Sequence, residues 1–262
     1  MRTFVMGDIH GAFRALEQCL ERSGFDFEQD ELIQLGDVAD GRDEVFDCVE
    51  TLLKVNNLIA IKGNHDEWFN EFIHSACHPD QWNQGGYATA VSYLRPLGKE
   101  DLVVRQGDGY KTALNPGDIP ESHQLFFRRQ HLYYVDDWNN CFVHAGFDRR
   151  MPFKGQPPDE YYWNRKLWLA ALSFQSGRSG SSGNKPGGGS AFRMVTEFRE
   201  IFIGHTSTLF WNTSKPMHAA NIWNLDSGAG DTGRLTIMDV RTKEYWQSDP
   251  VPELYTLPVE RF

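Results

Sequence analysis

Thr3 to Met6 is a short apolar run, and beyond Gly11 the spacing of Phe13, Leu16 and Leu20 puts three apolar side chains on one helical face. The pattern then recurs. Leu32-Ile33-Gln34-Leu35 precedes Val45, Val49, Leu52 and Leu53, and Leu58-Ile59-Ala60-Ile61 forms a third apolar run that ends at Gly63-Asn64-His65. Strand, loop and helix repeated in this order predict a parallel sheet with crossover helices, an α/β chain. Further along, residues 84–98 and 121–130 read as helices. Leu132 to Val135 and Cys141-Phe142-Val143 read as strands, and Tyr161 to Leu172 as a helix. Ile201-Phe202-Ile203, Ile222-Trp223-Asn224-Leu225 and Leu235-Thr236-Ile237-Met238 supply further strands.

Between these segments, residues 177–190 hold six glycines and four serines and cannot bury apolar surface, so they read as a loop. That loop joins the regions of Arg165 and His205, which makes it a passive linker or, alternatively, a lid. The C-terminal residues 248–262 contain Pro250, Pro252 and Pro258 and read as an extended tail. At 262 residues, with 40% hydrophobic and 24% charged positions, the chain suits a single domain with a substantial core. A formal charge of −10 argues against broad binding to nucleic acid or anionic membranes. Cys19, Cys48, Cys77 and Cys141 are scattered, no secretory leader precedes Gly7, and no run is long enough to span a membrane, which favours a cytoplasmic protein.

Five loop motifs carry the chemistry: Gly7-Asp8-Ile9-His10-Gly11, Gly36-Asp37-Val38-Ala39-Asp40, Gly63-Asn64-His65-Asp66, His144-Ala145-Gly146 and Gly204-His205-Thr206. Each falls where an apolar run ends, and ligands of open α/β sheets bind at the carboxyl ends of strands. A mixed set of Asp, Asn and His donors suits manganese, iron or zinc. Asp8 and His10, alternating as if at a strand end, would grip one cation. Asp37 has two oxygens with which to bridge a pair of cations, and Asn64, His144 and His205 complete the second set. Any one of these residues alone is better read as a turn or cap residue. Their occurrence in five such motifs reverses that judgement.

Over residues 2–240 the chain resembles the calcineurin-like metallophosphoesterases, especially the compact phage and bacterial Ser/Thr protein phosphatase group. The resemblance includes Trp163-Asn164-Arg165 and Leu225-Asp226-Ser227-Gly228-Ala229. It implies a β-sandwich flanked by α-helices. It also implies a phosphoesterase with two divalent or mixed-valence metal ions, manganese first and iron or zinc as alternatives, acting through a metal-bridging hydroxide. Many relatives outside the group carry a second histidine where Ser207 stands here, which leaves Asp8, His10 and Asp37 alone on the first cation.

His65 is spare for coordination and reads as the general acid, with Asp40 holding its imidazole. The group places an arginine directly after the residue equivalent to Asp40, whereas this chain has Asp40-Gly41-Arg42. Arg165 is therefore the main candidate for binding substrate phosphate, and Arg42 is a phosphate contact or an ordinary surface residue. Arg149 and Arg150 read as solvated, His74 and His78 as non-ligating neighbours on a helix, and Trp82, Trp163 and Trp168 as core. The expected activity is phosphomonoester hydrolysis, with phosphorylated protein or a small phosphoester as substrate. Symmetrical dinucleoside tetraphosphate hydrolysis is the alternative, followed by a non-catalytic scaffold with the same fold.

Overall fold

The computed structural model describes residues 1–176 and 197–255. Its first half contains β1 (Thr3–Met6), α1 (Phe13–Ser23), β2 (Glu31–Gln34), α2 (Val45–Leu52), β3 (Asn57–Ala60), α3 (Asn64–Ser75) and α4 (Gly86–Leu94). These are followed by the hairpin β4 (Val103–Gln106) and β5 (Gly109–Thr112), then α5 (Glu121–Arg129), β6 (Tyr133–Val135) and β7 (Cys141–Val143). The second half adds α6 (Pro158–Trp163), α7 (Lys166–Gln175), β8 (Ile201–Ile203), β9 (Met217–Ala219), β10 (Ile222–Asn224), β11 (Thr236–Asp239), β12 (Tyr245–Gln247) and α8 (Val251–Tyr255).

Two five-stranded sheets result, in the orders β12-β11-β1-β2-β3 and β6-β7-β8-β10-β9. Strands β1, β2 and β3 are mutually parallel, as are β7, β8 and β10, and antiparallel strands flank both sets.

Period-two alternation assigns the layers. Along β1, Phe4 and Met6 face α1 and α2 while Val5 faces the other sheet; Leu32 and Ile33 divide β2 in the same way. On the second sheet Cys141 and Val143 of β7, with Ile201 and Ile203 of β8, meet Leu167, Trp168 and Ala171 of α7. Phe142 and Phe202 point inward instead and stack, ring centroids 4.9 Å apart. The layers are thus helices, sheet, sheet, helix, which bears out the expected helix-flanked sandwich. Strands covered on both faces explain the unbroken apolar runs. Full burial of each such side chain contributes about 1.5–3 kcal/mol.

Several sequence readings are corrected. The helix expected from Tyr161 to Leu172 is two helices, because Asn164 is extended (φ −73°, ψ 97°) and its side chain accepts the Lys166 N–H at 2.9 Å. Leu53 lies past α2 and is exposed. The tail is not wholly extended, since Val251–Tyr255 is helical; Pro252 falls in its first turn, where a missing N–H costs little. His78 is off the helix of His74, because α3 ends at the left-handed Ala76. The loop reading for 177–190 falls outside the described residues, as does the end of the tail from 256.

Candidate metal centre

Strand register gathers the motif loops. Met6, Gln34 and Ala60 lie side by side at the carboxyl ends of β1, β2 and β3, so the loops that follow leave from one edge. Across the sandwich, β7 and β8 deliver His144 and Gly204-His205. Gln34 is a fully buried amide at the end of β2, next to apolar Leu32 and Ile33. It donates to the Gly36 carbonyl (2.7 Å) and accepts the Gly36 N–H (3.0 Å), which fixes the loop carrying Asp37.

The expected i, i+2 strand-end geometry is not how the donors enter. β1 stops at Met6, and His10, Asp37, Asp40 and His205 all occupy left-handed turns, with φ of 50°, 54°, 68° and 65°. Non-glycine residues pay a conformational penalty there, so the surrounding contacts must hold them. The turns nevertheless bring the donors together. Asp37 Oδ2 lies 3.6 Å from His10 Nε2 and 3.3 Å from His144 Nε2. His144 Nε2 is 3.3 Å from Asn64 Oδ1, and Asp8 Oδ2 accepts the His205 N–H at 2.9 Å. Donor atoms of Asp37, His144 and His205 lie within 4.8 Å of one another, as do those of His10, Asp37 and His65. Asp37 is shared by the two groups.

The donor set fits cations. Asp8 Oδ1 and His205 Nε2 are buried without a hydrogen-bond partner, the condition of an atom whose partner is an ion. His144 Nδ1–H donates to the Leu35 carbonyl at 2.7 Å, which leaves the Nε2 lone pair facing Asp37 and Asn64. Burial, together with the nearby Asp226 and Asp37, holds the Asp8 carboxyl well above its usual range. Burial likewise raises Asp226 to about 6 and lowers His10 to about 4. It pushes His205 down to about 2, with His144 adding to the effect. Asp37 moves the other way: burial opposes its ionisation, but His144, His65 and His10 outweigh it and hold the carboxyl well below the usual range. His10 and His205 thus favour the neutral form that divalent cations bind, whereas at His144 burial is outweighed by Asp37, which raises it.

Glycine is required where the ligand loops touch. A Cβ on Gly63 would lie 2.0 Å from Asp37 Oδ1 and 2.4 Å from its backbone nitrogen; on Gly204 it would lie 2.0 Å from Asp8 Oδ1. Gly63→Ala is therefore expected to displace Asp37, costing about 1–3 kcal/mol of stability by overpacking. It should also weaken cation affinity by about 10- to 100-fold. Thermal melts and metal titration check this, and unchanged cation affinity would show that Asp37 can shift harmlessly.

His65 sits at the start of α3, where its backbone N–H donates to Asp37 Oδ1 at 3.0 Å. Its Nδ1 pairs with Asp40 Oδ2 at 2.7 Å. Burial disfavours the imidazolium, but Asp37 and Asp40 prevail and raise His65 to about 9. Sequence reasoning gave no role to Asp66. Its Oδ1 accepts the Val38 and Ala39 N–H groups, both at 2.9 Å, and its Oδ2 accepts from Gly63 and Gln130, tying the Asp37 and Asn64 loops together. The acid three residues after the cap Gly63 is the local signal that would have found it.

At the rim, exposed Arg165 opens α7 directly after the Asn164 break, in a cleft lined also by Trp163, Lys166, Asp159 and Glu160. Trp163 is not core: it is 40% exposed and meets His205 edge-on at 5.4 Å. Arg42 is half-buried on the His10 side, donating to the Asp231 carbonyl at 3.1 Å and lying over the Tyr255 ring. Arg150 pairs with Asp148 on the surface. Ser207, in the place of the second histidine, caps the short helix Thr208–Trp211 through the Leu209 N–H.

Fold and donor set together define a metal-dependent phosphoric ester hydrolase. The chain belongs to the calcineurin-like phosphoesterase family, whose profile matches residues 1–209. It is similar to serine/threonine-protein phosphatase 1 of Salmonella typhimurium, with 24% identity over 91% of each chain. It is also similar to a symmetrical bis(5'-nucleosyl)-tetraphosphatase of Haemophilus ducreyi, with 33% identity over 95% of this chain and 99% of the other. A crystal structure of a metallophosphoesterase from Sphaerobacter thermophilus shares the fold, with a TM-score of 0.50, 16% identity and coverage of 95% and 89%.

Proposed function

We propose that the chain hydrolyses phosphomonoesters, with phosphoserine and phosphothreonine in proteins as its substrate class. The observation that carries this reading is the open rim, where exposed Arg165 follows the helix break at Asn164 and lies close enough to His205 to help disfavour its charge. A guanidinium there can grip a phosphate with paired donors while the rest of a peptide lies over the surface. Similarity to the Salmonella phosphatase over nearly the whole chain supports it.

In this reading Asp8, His10 and Asp37 hold one cation, and Asp37, Asn64, His144 and His205 hold the other, with manganese as the favoured metal. Two such cations supply Lewis acidity toward phosphoryl oxygens and an acidified water. His65 delivers a proton from Nε2 to the leaving oxygen while Asp40 fixes its Nδ1 side. Arg165 orients the phosphate. Arg42, which donates to the Asp231 carbonyl on the His10 side, is the second candidate phosphate contact. Three of the four cysteines are buried and all four are free, which supports a reducing, cytoplasmic setting for a single catalytic domain. Among the described residues no helix is long and apolar enough to cross a membrane.

The second reading, symmetrical cleavage of dinucleoside tetraphosphates, is favoured by the 33% identity to the Haemophilus enzyme. Competition between a phosphoserine peptide and diadenosine tetraphosphate for the manganese-loaded protein separates the two. Faster turnover of the peptide is expected. Preferential cleavage of the dinucleotide would replace the phosphomonoester reading with the second one.

A further inference from the structure

Asp40 is fully buried, and only one of its oxygens serves His65. The other, Oδ1, accepts the indole N–H of Trp82 at 3.0 Å and the hydroxyl of Thr89 at 2.7 Å. Thr89 Oγ1 also accepts the Asp40 backbone N–H at 2.9 Å, so one hydroxyl clasps the residue at two points. Trp82 and Thr89 are themselves completely buried. The indole packs against both Phe69 and Phe72, with centroids at 5.5 and 4.8 Å. The backbone at the start of α4, between Trp82 and Thr89, packs closely against Asp40 and Trp82. A Cβ on Gly85 would lie 2.8 Å from Asp40 Cβ, and one on Gly86 would lie 2.5 Å from Trp82 Nε1.

We infer that Trp82 and Thr89 are positioning residues for the reaction, fixing the plane of the Asp40 carboxylate and through it the direction of the His65 imidazole. The inference rests on the reading of His65 as proton donor. Asp40 sits in a left-handed turn, φ 68°, and its orientation is set by the contacts that hold it there. With Oδ1 fixed by two donors, the Trp82 indole in its aromatic cluster and the Thr89 hydroxyl on α4, Oδ2 has one direction left, toward His65 Nδ1. Removing either donor leaves a buried anionic oxygen short of a partner and free to turn. The imidazole then loses the angle at which Nε2 reaches a leaving oxygen. Among the described residues the hydrogen bonds of both side chains go to Asp40 and none to a donor atom of the cation sites, so metal binding is expected to be left alone.

The test uses manganese-loaded full-length Trp82→Phe, Thr89→Val and the double variant, with Thr89→Ser as the conservative rescue. Phenyl phosphate and 2,4-dinitrophenyl phosphate serve as substrates with poor and good leaving groups. Each single variant is expected to lose about 10- to 100-fold in kcat on phenyl phosphate. The loss should be severalfold smaller on the dinitrophenyl ester, with KM and metal content near wild type. Thr89→Ser, which keeps the hydroxyl, should recover most of the rate. Because Trp82→Phe can also disturb packing, Thr89→Val decides the matter should the tryptophan variant unfold. Equal losses on both esters, or none, would overturn the inference. His65→Asn run alongside locates the failure. Leaving-group sensitivity in that variant but not in Thr89→Val removes the positioning role alone, and its absence in His65→Asn removes the proton-donor reading and this inference with it.

Discussion

Asp37→Ala protein is expected to retain neither cation and to turn over p-nitrophenyl phosphate on the order of 10⁴-fold more slowly, since cation stabilisation of the transition state supplies several kcal/mol. The size of the effect follows from the position of this one side chain. Its Oδ2 stands 3.6 Å from His10 Nε2 and 3.3 Å from His144 Nε2, so both donor groups lose their common member at once. Its Oδ1 also receives the first-turn N–H of His65. Removing it therefore unfastens the start of α3 as well. Elemental analysis of purified protein checks the first half of the expectation and steady-state kinetics the second. Full metal content in Asp37→Ala would mean that the shared carboxylate is dispensable.

His65→Asn should lower kcat by about 10²- to 10⁴-fold, the range of general acid–base contributions, while both cations stay bound. Geometry makes this a real question, because the His65 ring lies within 4.8 Å of donor atoms of His10 and Asp37 and so has ligand-like placement. The hydrogen bond to Asp40 argues for the proton-transfer role. With Nδ1 held at 2.7 Å by a carboxylate that, with Asp37, favours the imidazolium, the imidazole is oriented as a proton donor. Loss of one cation in His65→Asn, in step with the loss of rate, would make His65 a ligand instead.

The parts of the structure visible in the sequence are those in which one physical demand acts on consecutive residues. Strands β1, β2, β7 and β8 are covered on both faces, so β7 and β8 read as unbroken apolar runs and β1 and β2 as apolar runs bounded by Thr3, Glu31 and Gln34, and the helices between them carry a single apolar stripe. Because the strands are in register, the motif loops had to emerge together, and all six donors named from sequence converge. Strands β4, β5, β9 and β12 went unread. Each has three or four residues, is largely polar or half-exposed, and pairs at an edge, which leaves no run to notice. The left-handed turns at His10 and Asp37 were equally invisible, since they pack against glycines distant in sequence, Gly41 and Gly63. The grip on Asp40 by Trp82 and Thr89 spans 42 and 49 residues of sequence, and no local pattern encodes it.

The most direct measurement is hydrolysis of p-nitrophenyl phosphate by chelator-stripped protein as manganese is added in counted equivalents. Stripped protein should be inactive, with the rate rising to a plateau at two bound cations per chain. Full turnover without added metal, or silence at two bound cations, would contradict a dinuclear hydrolase built on these residues.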